Sequence, residues 1–382
     1  MPVVSFQFEQ PGLAWTIISA VFLAAFLVQM FYYFYFYLRV SCYKGRKAAA
    51  LPGEPVSVVI CARDESCNLE KNLPLILSQD YPDFEVIVVN DCSDDNTEEL
   101  LEGFKKKYQN LKSTRIRKDE RFTHGKKLAL SIGLKAAVNK WVLLTDADCR
   151  PSGPEWISRM QKHFAPPNEI VLGYGSYERE RGFLNKVIRY DTFFIAMQYL
   201  SFALAGHPYM GVGRNLAYRR RLFFDNRGFA SHLKLESGDD DLFINEVATK
   251  ENTAVEISHE AHTVSEPHKN WKGFLRQKRR HLTTGLHYNG ASRFWLGLEN
   301  ISRILFYISF LLLVINKIFL PLVLALFAIR LITYTIILNK GMNRLNEKNL
   351  LLFSPLFDFG ILLLNIFCVA GNLTNQKRSR WR

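Results

Sequence analysis

Three groups of acidic residues stand where short apolar runs stop. Arg63-Asp64-Glu65 follows Val56 to Ala62, Asp91 with Asp94 and Asp95 follows Phe84 to Asn90, and Asp146-Ala147-Asp148 follows Trp141 to Thr145. An aspartate just past a strand commonly does no more than cap a turn or a helix. That accounts for any one of the three groups and poorly for all three together. Asp146 and Asp148 are separated by one residue, so in extended chain their carboxylates point to the same side and can converge on one hard cation. Mg²⁺ or Mn²⁺ is the expected ion, and held there it would act as a Lewis acid on phosphate oxygens.

A second cluster, Ser237-Gly238-Asp239-Asp240-Asp241-Leu242, precedes a helical pattern that runs through Glu246. A helix N-cap with acids in the first turn uses one or two of these residues. Three adjacent acids exceed that need, and like charges at close range raise the pKa of at least one member, a property useful in a general base. Further on, Gln277 and Arg280 lie three apart on a helix that should begin near Asn270, and so share one face. Arginine can fork onto phosphate oxygens in a way lysine cannot. The alternative is a basic helix lying on a membrane with Trp271, Phe274 and Leu275 toward lipid, and the two readings can hold for different faces.

The elements that must position these residues alternate strand and helix. Between the three strands, Asn68 to Leu77, Asn96 to Tyr108 and Lys126 to Val138 carry helical patterns, which predicts βαβ units with right-handed crossovers around a mainly parallel sheet, helices on both faces. In such a doubly wound α/β domain, ligands bind beyond the carboxyl ends of the strands, where the acids stand. Residues 151 to 290 mix helices with weaker strand signals.

The flanks belong to another solvent. Leu13 to Leu38 holds no charged residue and is long enough to cross a bilayer, which takes about 20 apolar residues. It is too long for a cleaved signal, and a basic leader and small-residue cleavage site are missing. Arg39, Lys44, Arg46 and Lys47 follow at once, so the positive-inside rule predicts residues 1–12 outside, an anchor at 13–38 and a basic linker at 39–54 in the cytoplasm. A catalytic unit at 55–290, a transmembrane hairpin at 301–338 with Asn316-Lys317 as its external turn or else as a polar break in one tilted segment, a membrane-associated or spanning stretch within 339–372 and a basic tail at 373–382 complete the division. Pro355 and Asp358 interrupt the last apolar run near its start, which favours an interfacial or re-entrant element. The formal charge of +13 gathers beside apolar segments, which suits a cytoplasmic lipid surface better than nucleic acid. The expected setting is therefore the inner cell membrane, multi-pass, with the lipid bilayer as a partner. Six scattered cysteines without a CxxC pair read as reduced thiols.

Taken in order, these residues resemble the family 2 glycosyltransferases, inverting enzymes of the GT-A fold that include the cellulose, chitin and hyaluronan synthases. The likeness covers about residues 55 to 285. It implies donor binding by Ala62, Arg63, Glu65, Asp91, Lys126, Asp146, Gln277 and Arg280, with Asp91 on the nucleobase. Gly125-Lys126-Lys127-Leu128-Ala129-Leu130 is similar to the family's Gly-Lys-x-x-Ala-Leu, and Asp146-Ala147-Asp148 to its metal-binding DxD. Gly213-Arg214-Asn215 resembles the segment lining the acceptor side, where Gly213, Asn215 and His281 are expected. Asp239 is implied as the base, with Asp240 as second choice. Three positions depart from the pattern: Asp64 replaces Asn, Gly238 replaces Glu, and His281 replaces the Trp that stacks on acceptor sugar in the polymerising synthases. The resemblance implies a nucleotide-sugar donor, UDP-linked before GDP-linked, and a lipid-linked or glycan acceptor. A non-catalytic nucleotide-binding scaffold is the rival reading. A dinucleotide oxidoreductase is excluded by the absence of glycine from Ala62 to Asn68.

Overall fold

The computed structural model describes residues 12–45, 53–118, 125–233, 235 and 237–374. The outer N-terminus, the middle of the basic linker and the basic tail lie outside the described residues. Helix α1 (Leu13–Phe31) continues through a π-helical stretch (Tyr32–Tyr37) into α2 (Leu38–Ser41). The next units run β1 (Val56–Ala62), α3 (Ser66–Leu77), β2 (Phe84–Asp91), α4 (Thr97–Lys107), β3 (Leu111–Ile116), α5 (Lys126–Ala136) and β4 (Trp141–Asp146). Short elements follow: β5 (Cys149–Pro151), α6 (Trp156–Gln161), β6 (Ile170–Leu172) and β7 (Gly175–Tyr177). Then come α7 (Phe183–Leu204), β8 (Leu216–Arg219), α8 (Arg220–Asp225), α9 (Asp241–Val247), β9 (Thr253–Val255), β10 (Thr263–Ser265) and α10 (Trp271–Thr284). The chain ends with α11 (Gly290–Ile315), α12 (Leu320–Arg344) and α13 (Ser354–Thr374).

The main sheet has the order β3-β2-β1-β4-β8-β6-β9. Its first four strands are parallel, β8 runs antiparallel to both β4 and β6, and β6 pairs parallel with β9. A small second sheet, β5-β10-β7, stands beside it. The expected strands are present to within a residue. Strand β3, absent from the sequence reading, is an edge strand whose Lys112, Ser113, Thr114 and Arg115 hide the apolar signal.

Each face of the sheet carries a core, as a nearly continuous apolar parallel strand requires. On one face Leu69, Leu73 and Ile76 of α3, Leu101 of α4 and Trp156 of α6 pack on Val58, Ile60 and Val86. On the other, α5, α7 and α9 cover Val59, Val89 and Leu144, and this core runs on without a break into Tyr32, Phe36, Tyr334 and Met342 of the apolar helices. Gly133 of α5 is there because a Cβ would stand 2.5 Å from Val59 Cγ1. Helix α7 is buried on nearly all sides, since the sheet lies under it and the anchor above it. Phe202 of α7 stacks on Phe36 at 4.1 Å, and Ser41 donates to the Ile337 carbonyl at 2.9 Å.

Among the described residues, four helical segments are long and apolar enough to cross a membrane: Leu13–Ser41, Gly290–Ile315, Leu320–Arg344 and Leu351–Gly371. The turn at Asn316-Lys317 is real, with Lys317 and Phe319 at positive φ, and Phe310 stacks on Phe327 across the hairpin at 4.2 Å. The hairpin is longer than 301–338, since its helices begin at Gly290 and end at Arg344. Pro355 and Asp358 do not interrupt α13. The proline lies in its first turn, where its missing N–H costs nothing, and Asp358 is paired with Arg330 at 2.8 Å and accepts from Tyr307 at 2.6 Å.

Helix α10 docks on α7 through a buried ion pair, Lys278 Nζ to both oxygens of Asp191 at 2.6 and 2.7 Å. Asp191→Ala strands a buried ammonium and should cost about 3–5 kcal/mol, whereas replacing both partners by apolar residues of like volume should recover most of it. The thermal midpoints in detergent of D191A and of D191L/K278M check this, with D191A the lower.

Candidate functional site

A cavity of about 620 Å³ opens at the carboxyl ends of β1 and β4 and is roofed by α10. Glu65, Lys126, Asp146, Asp148, Gly213, Asp239, Asp240, Gln277, Arg280 and His281 all line it, so most of the expected site residues converge. Lys126, at the N-terminus of α5, stands between the last residue of β4 and the turn before α9: its Nζ is 2.9 Å from Asp146 Oδ1 and 3.1 Å from Asp239 Oδ2. Burial works against its charge, but Asp146, Asp239 and Asp240 hold it protonated well above the usual lysine range.

The three adjacent acids separate by environment. Burial pushes the Asp239 carboxyl up, yet the Lys126 ammonium beside it wins and holds it below the ordinary aspartate value. Asp240 is pushed up to about 7 by burial and by the flanking charges of Asp239 and Asp241. Its oxygens accept from the Gly213 N–H at 2.6 Å and the Asp241 N–H at 2.7 Å, so this residue caps α9 and pins the Gly213 loop. Asp241 accepts from the hydroxyls of Thr284 and, at 2.8 Å, Tyr288. All three line the cavity, and of them Asp239 is the one ion-paired with Lys126.

The DxD pair suits a hard cation. Burial and the neighbouring Asp146 raise the Asp148 carboxyl, a repulsion that a divalent ion would relieve. Cys149 lies within 4.8 Å of both carboxylates. Its thiol is held protonated by burial and is engaged with Ser265 at 2.9 Å, which leaves oxygen donors only. Glu65 is lifted to about 6 by burial, with Asp148 and Asp146 adding repulsion. Gln277 accepts from the Tyr177 hydroxyl at 3.3 Å, and the Arg280 Nε is buried without a protein partner. Burial, then Arg280 and Arg214, push the His281 imidazole down to about 3, so it is neutral and can donate or accept.

Four expected residues do not face this cavity. Ala62, Arg63 and the fully buried Asp91 stand at the ends of β1 and β2 without lining it. Asn215 corrects the acceptor-side reading: its amide accepts from Trp156 Nε1 at 3.0 Å and donates to the carbonyls of Tyr174 and Ala261, so it ties the two sheets together. Its neighbour Arg214 is the residue that was missed. The guanidinium lines the cavity, stacks on Tyr177 at 4.5 Å and pulls against the raised Asp148 carboxyl. The signal for it was an arginine next to the loop glycine, in a chain with several carboxylates to balance.

Residues 57–225 match the family model of Glycosyl transferase family 2. A poly-beta-1,6-N-acetyl-D-glucosamine synthase of Staphylococcus epidermidis is 36% identical over 95 residues, which is 25% of this chain and 22% of that protein's own length. A glycosyltransferase of Haloferax volcanii named AglE is 33% identical over 106 residues, 27% of this chain and 33% of that one. The mannosyltransferase of Pyrobaculum calidifontis solved with GDP-Man and Mn²⁺ is similar in fold, with a TM-score of 0.60 over 96% of this chain and 100% of that one at 19% identity. The fold is thus a GT-A-type α/β domain with apolar helices at both ends.

Asp240 gives a pH test. Below the unfolded aspartate pKa of about 3.9 the carboxyl is protonated in both states, and its burial as a charge costs nothing. Between there and about 7 the unfolded chain ionises while the folded one keeps its proton, so stability falls as pH rises and levels off above 7. The thermal midpoint of wild type should therefore drop relative to Asp240→Asn from pH 4.5 to 7.5, and parallel curves would contradict it.

Proposed function

This chain carries a family 2 glycosyltransferase domain, and we propose that it is an inverting enzyme that moves a sugar from a nucleoside diphosphate, UDP before GDP, to an acceptor at the cytoplasmic membrane face. The observation that carries the mechanism is Lys126 between Asp146 and Asp239, which sets a base beside the carboxylates assigned to the diphosphate's cation. The acceptor hydroxyl attacks the anomeric carbon from the side opposite the diphosphate, Asp239 takes its proton, and the nucleoside diphosphate leaves with the bonding pair. Asp240 is a poorer candidate because its oxygens already accept from backbone N–H groups.

Asp146 and Asp148 would hold Mg²⁺ or Mn²⁺, which when bound neutralises the charge that develops on the leaving diphosphate. Arg280, Gln277 and Arg214 face the same region and orient phosphate oxygens. Glu65, with Ala62, Arg63 and Asp91, is assigned to the nucleoside. An entering diphosphate also competes for Lys126, and withdrawal of that ammonium makes Asp239 more basic at the moment the donor is in place.

The membrane assignment follows the positive-inside rule, with Lys340, Arg344 and Lys348 on the same side as Arg39 and Lys44. Both ends of α13 meet the catalytic unit, since Phe357 packs on Tyr190 at 5.0 Å and Phe367 lies under Arg279 at 5.5 Å. That supports an interfacial helix at the inner surface of the cell membrane.

Offered a panel of UDP- and GDP-sugars, the detergent-solubilised protein should release nucleotide with at least one. Asp239→Asn should lower turnover by about 10² or more with donor affinity retained, consistent with loss of a general base. A turnover comparable to wild type would remove Asp239 from the role. Chelator should abolish release and Mn²⁺ or Mg²⁺ restore it; undiminished release in chelator would remove the ion from the mechanism. For topology, a single cysteine at Lys317 should label with an impermeant thiol reagent on intact cells, while one at Lys348 should stay protected.

A further inference from the structure

We propose that the cavity has a blind acceptor arm at the bilayer surface, built to seat the hydroxyl-bearing headgroup of a membrane lipid, so that the enzyme caps a lipid with sugar instead of extruding a polymer. This rests on the glycosyl-transfer reading above.

The arm is continuous with the catalytic cavity. Beyond Asp239 and His281 its walls are Leu296, Gly297, Asn300 and Arg303 of α11 with Ile361 and Asn365 of α13. These residues belong to segments apolar enough to lie in a bilayer. Arg303 is thirteen residues into α11, about 20 Å from its start at 1.5 Å per residue, in a helix that begins beside the catalytic unit. The site therefore reaches the depth where lipid headgroups meet acyl chains.

The arm ends there. Arg303 is paired with Glu299 and, at 3.4 Å, with Asp358. Asp358 is paired at 2.8 Å with Arg330, whose guanidinium donates to Gln29 at 3.1 Å. This network joins α1, α11, α12 and α13 and forms the floor. Among the described residues, no lining residue of the cavity comes from α1 or α12, and none lies beyond Arg303 in α11. A growing glycan would need a polar path through about 30 Å of hydrocarbon, and the network stands across it.

The chemistry of the wall points to the occupant. Arg303 is balanced by Glu299 and Asp358 at the floor, while Arg293 lines the cavity near the start of α11, away from that floor. The arm's remaining polar groups are amides, and the Asn365 Oδ1 is buried without a partner, an acceptor free for a hydroxyl. Leu296 and Ile361 supply apolar surface beside them, and Leu363, Ile366 and Phe367 continue it along the exposed side of α13. A headgroup hydroxyl on the amides and an acyl or prenyl tail along α13 satisfy both. The reaction balances as above: the headgroup oxygen bonds to the anomeric carbon, its proton goes to Asp239, and the diphosphate departs.

Gly297 provides the test, because a Cβ there meets nothing within 4 Å and a large side chain would fill the arm. Gly360 of α13 has the same open space without lining the cavity, and serves as the matched control. Membranes from cells expressing the full chain, given radiolabelled UDP- and GDP-sugars, are extracted with chloroform–methanol, and the label in the organic and aqueous phases is followed with time. Wild type and Gly360→Trp should put label into one organic-phase product of fixed size. Gly297→Trp should lower it tenfold or more, and Asn365→Leu, nearly isosteric and the variant that decides should G297W not accumulate folded, by at least threefold. Label in aqueous or insoluble chains that lengthen with time, or a G297W product equal to wild type, overturns the proposal while leaving glycosyl transfer intact. Label that never leaves the donor overturns both.

Discussion

Glu65, Asp146, Asp148, Asp239, Asp240 and Asp241 line one cavity, and their mutual repulsion is the constraint that the surrounding structure answers. Carboxylates held this close away from water cannot all ionise without cations. Lys126 answers for Asp146 and Asp239 together, and Arg214 for Asp148. Where no cation stands, the acids are turned into structural groups: Asp240 accepts two backbone N–H bonds and Asp241 two hydroxyls. The same acidity prepares the cavity for a divalent ion, since two carboxylates that repel one another gain most from a shared positive charge.

Holding those groups in place requires a frame that resists the repulsion, and the frame is shared with the membrane helices. Helix α7 is covered by the sheet on one side and by the anchor on the other, so the core of the catalytic unit and that of the apolar helices are one body. Asp191 on α7 fixes α10 through Lys278, and α10 carries Gln277, Arg280 and His281 over the cavity. The positions of Gln277, Arg280 and His281 are therefore set by the same packing that joins the catalytic unit to the apolar helices.

The sequence made legible whatever depended on local pattern. β1, β2 and β4 are apolar runs ended by acids, and the helices between them keep a 3.6-residue period, so both were readable. The antiparallel end of the sheet was not, because β6, β8 and β9 are only three or four residues long and their pairing partners are distant in sequence. Helix α7 was not picked out within residues 151 to 290, since an element buried on nearly all sides shows little polar face. Within the site, the types and order of the acids located the cavity, but the split of roles between Asn215 and Arg214 did not follow from adjacency. Neighbours in a loop point different ways, and only the positions of Trp156, Tyr174 and Ala261 show that the asparagine is consumed by the fold. Asp358 likewise read as a break in an apolar helix, because its partners Arg330 and Arg303 lie on two other helices.

The charge balance of the site also bears on the order of events. With Lys126 shared between Asp146 and Asp239, the proposed base is held ionised but weak, and water near the anomeric position would find a poor proton acceptor. A nucleoside diphosphate brings negative charge into an already acidic cavity, so it must enter with compensating cation and draw on Lys126 and Arg280. On the proposed mechanism, Asp239 is released to act only once the donor has drawn Lys126 away. The proposed arm toward α11 and α13 would then receive the acceptor, with Leu296 and Ile361 as its apolar surface and Asn300 and Asn365 as its amides. The neutral His281 at the junction of the two regions fits this arrangement, since a charged imidazole there would add to Arg280 and Arg214 and hold the diphosphate after its work is done.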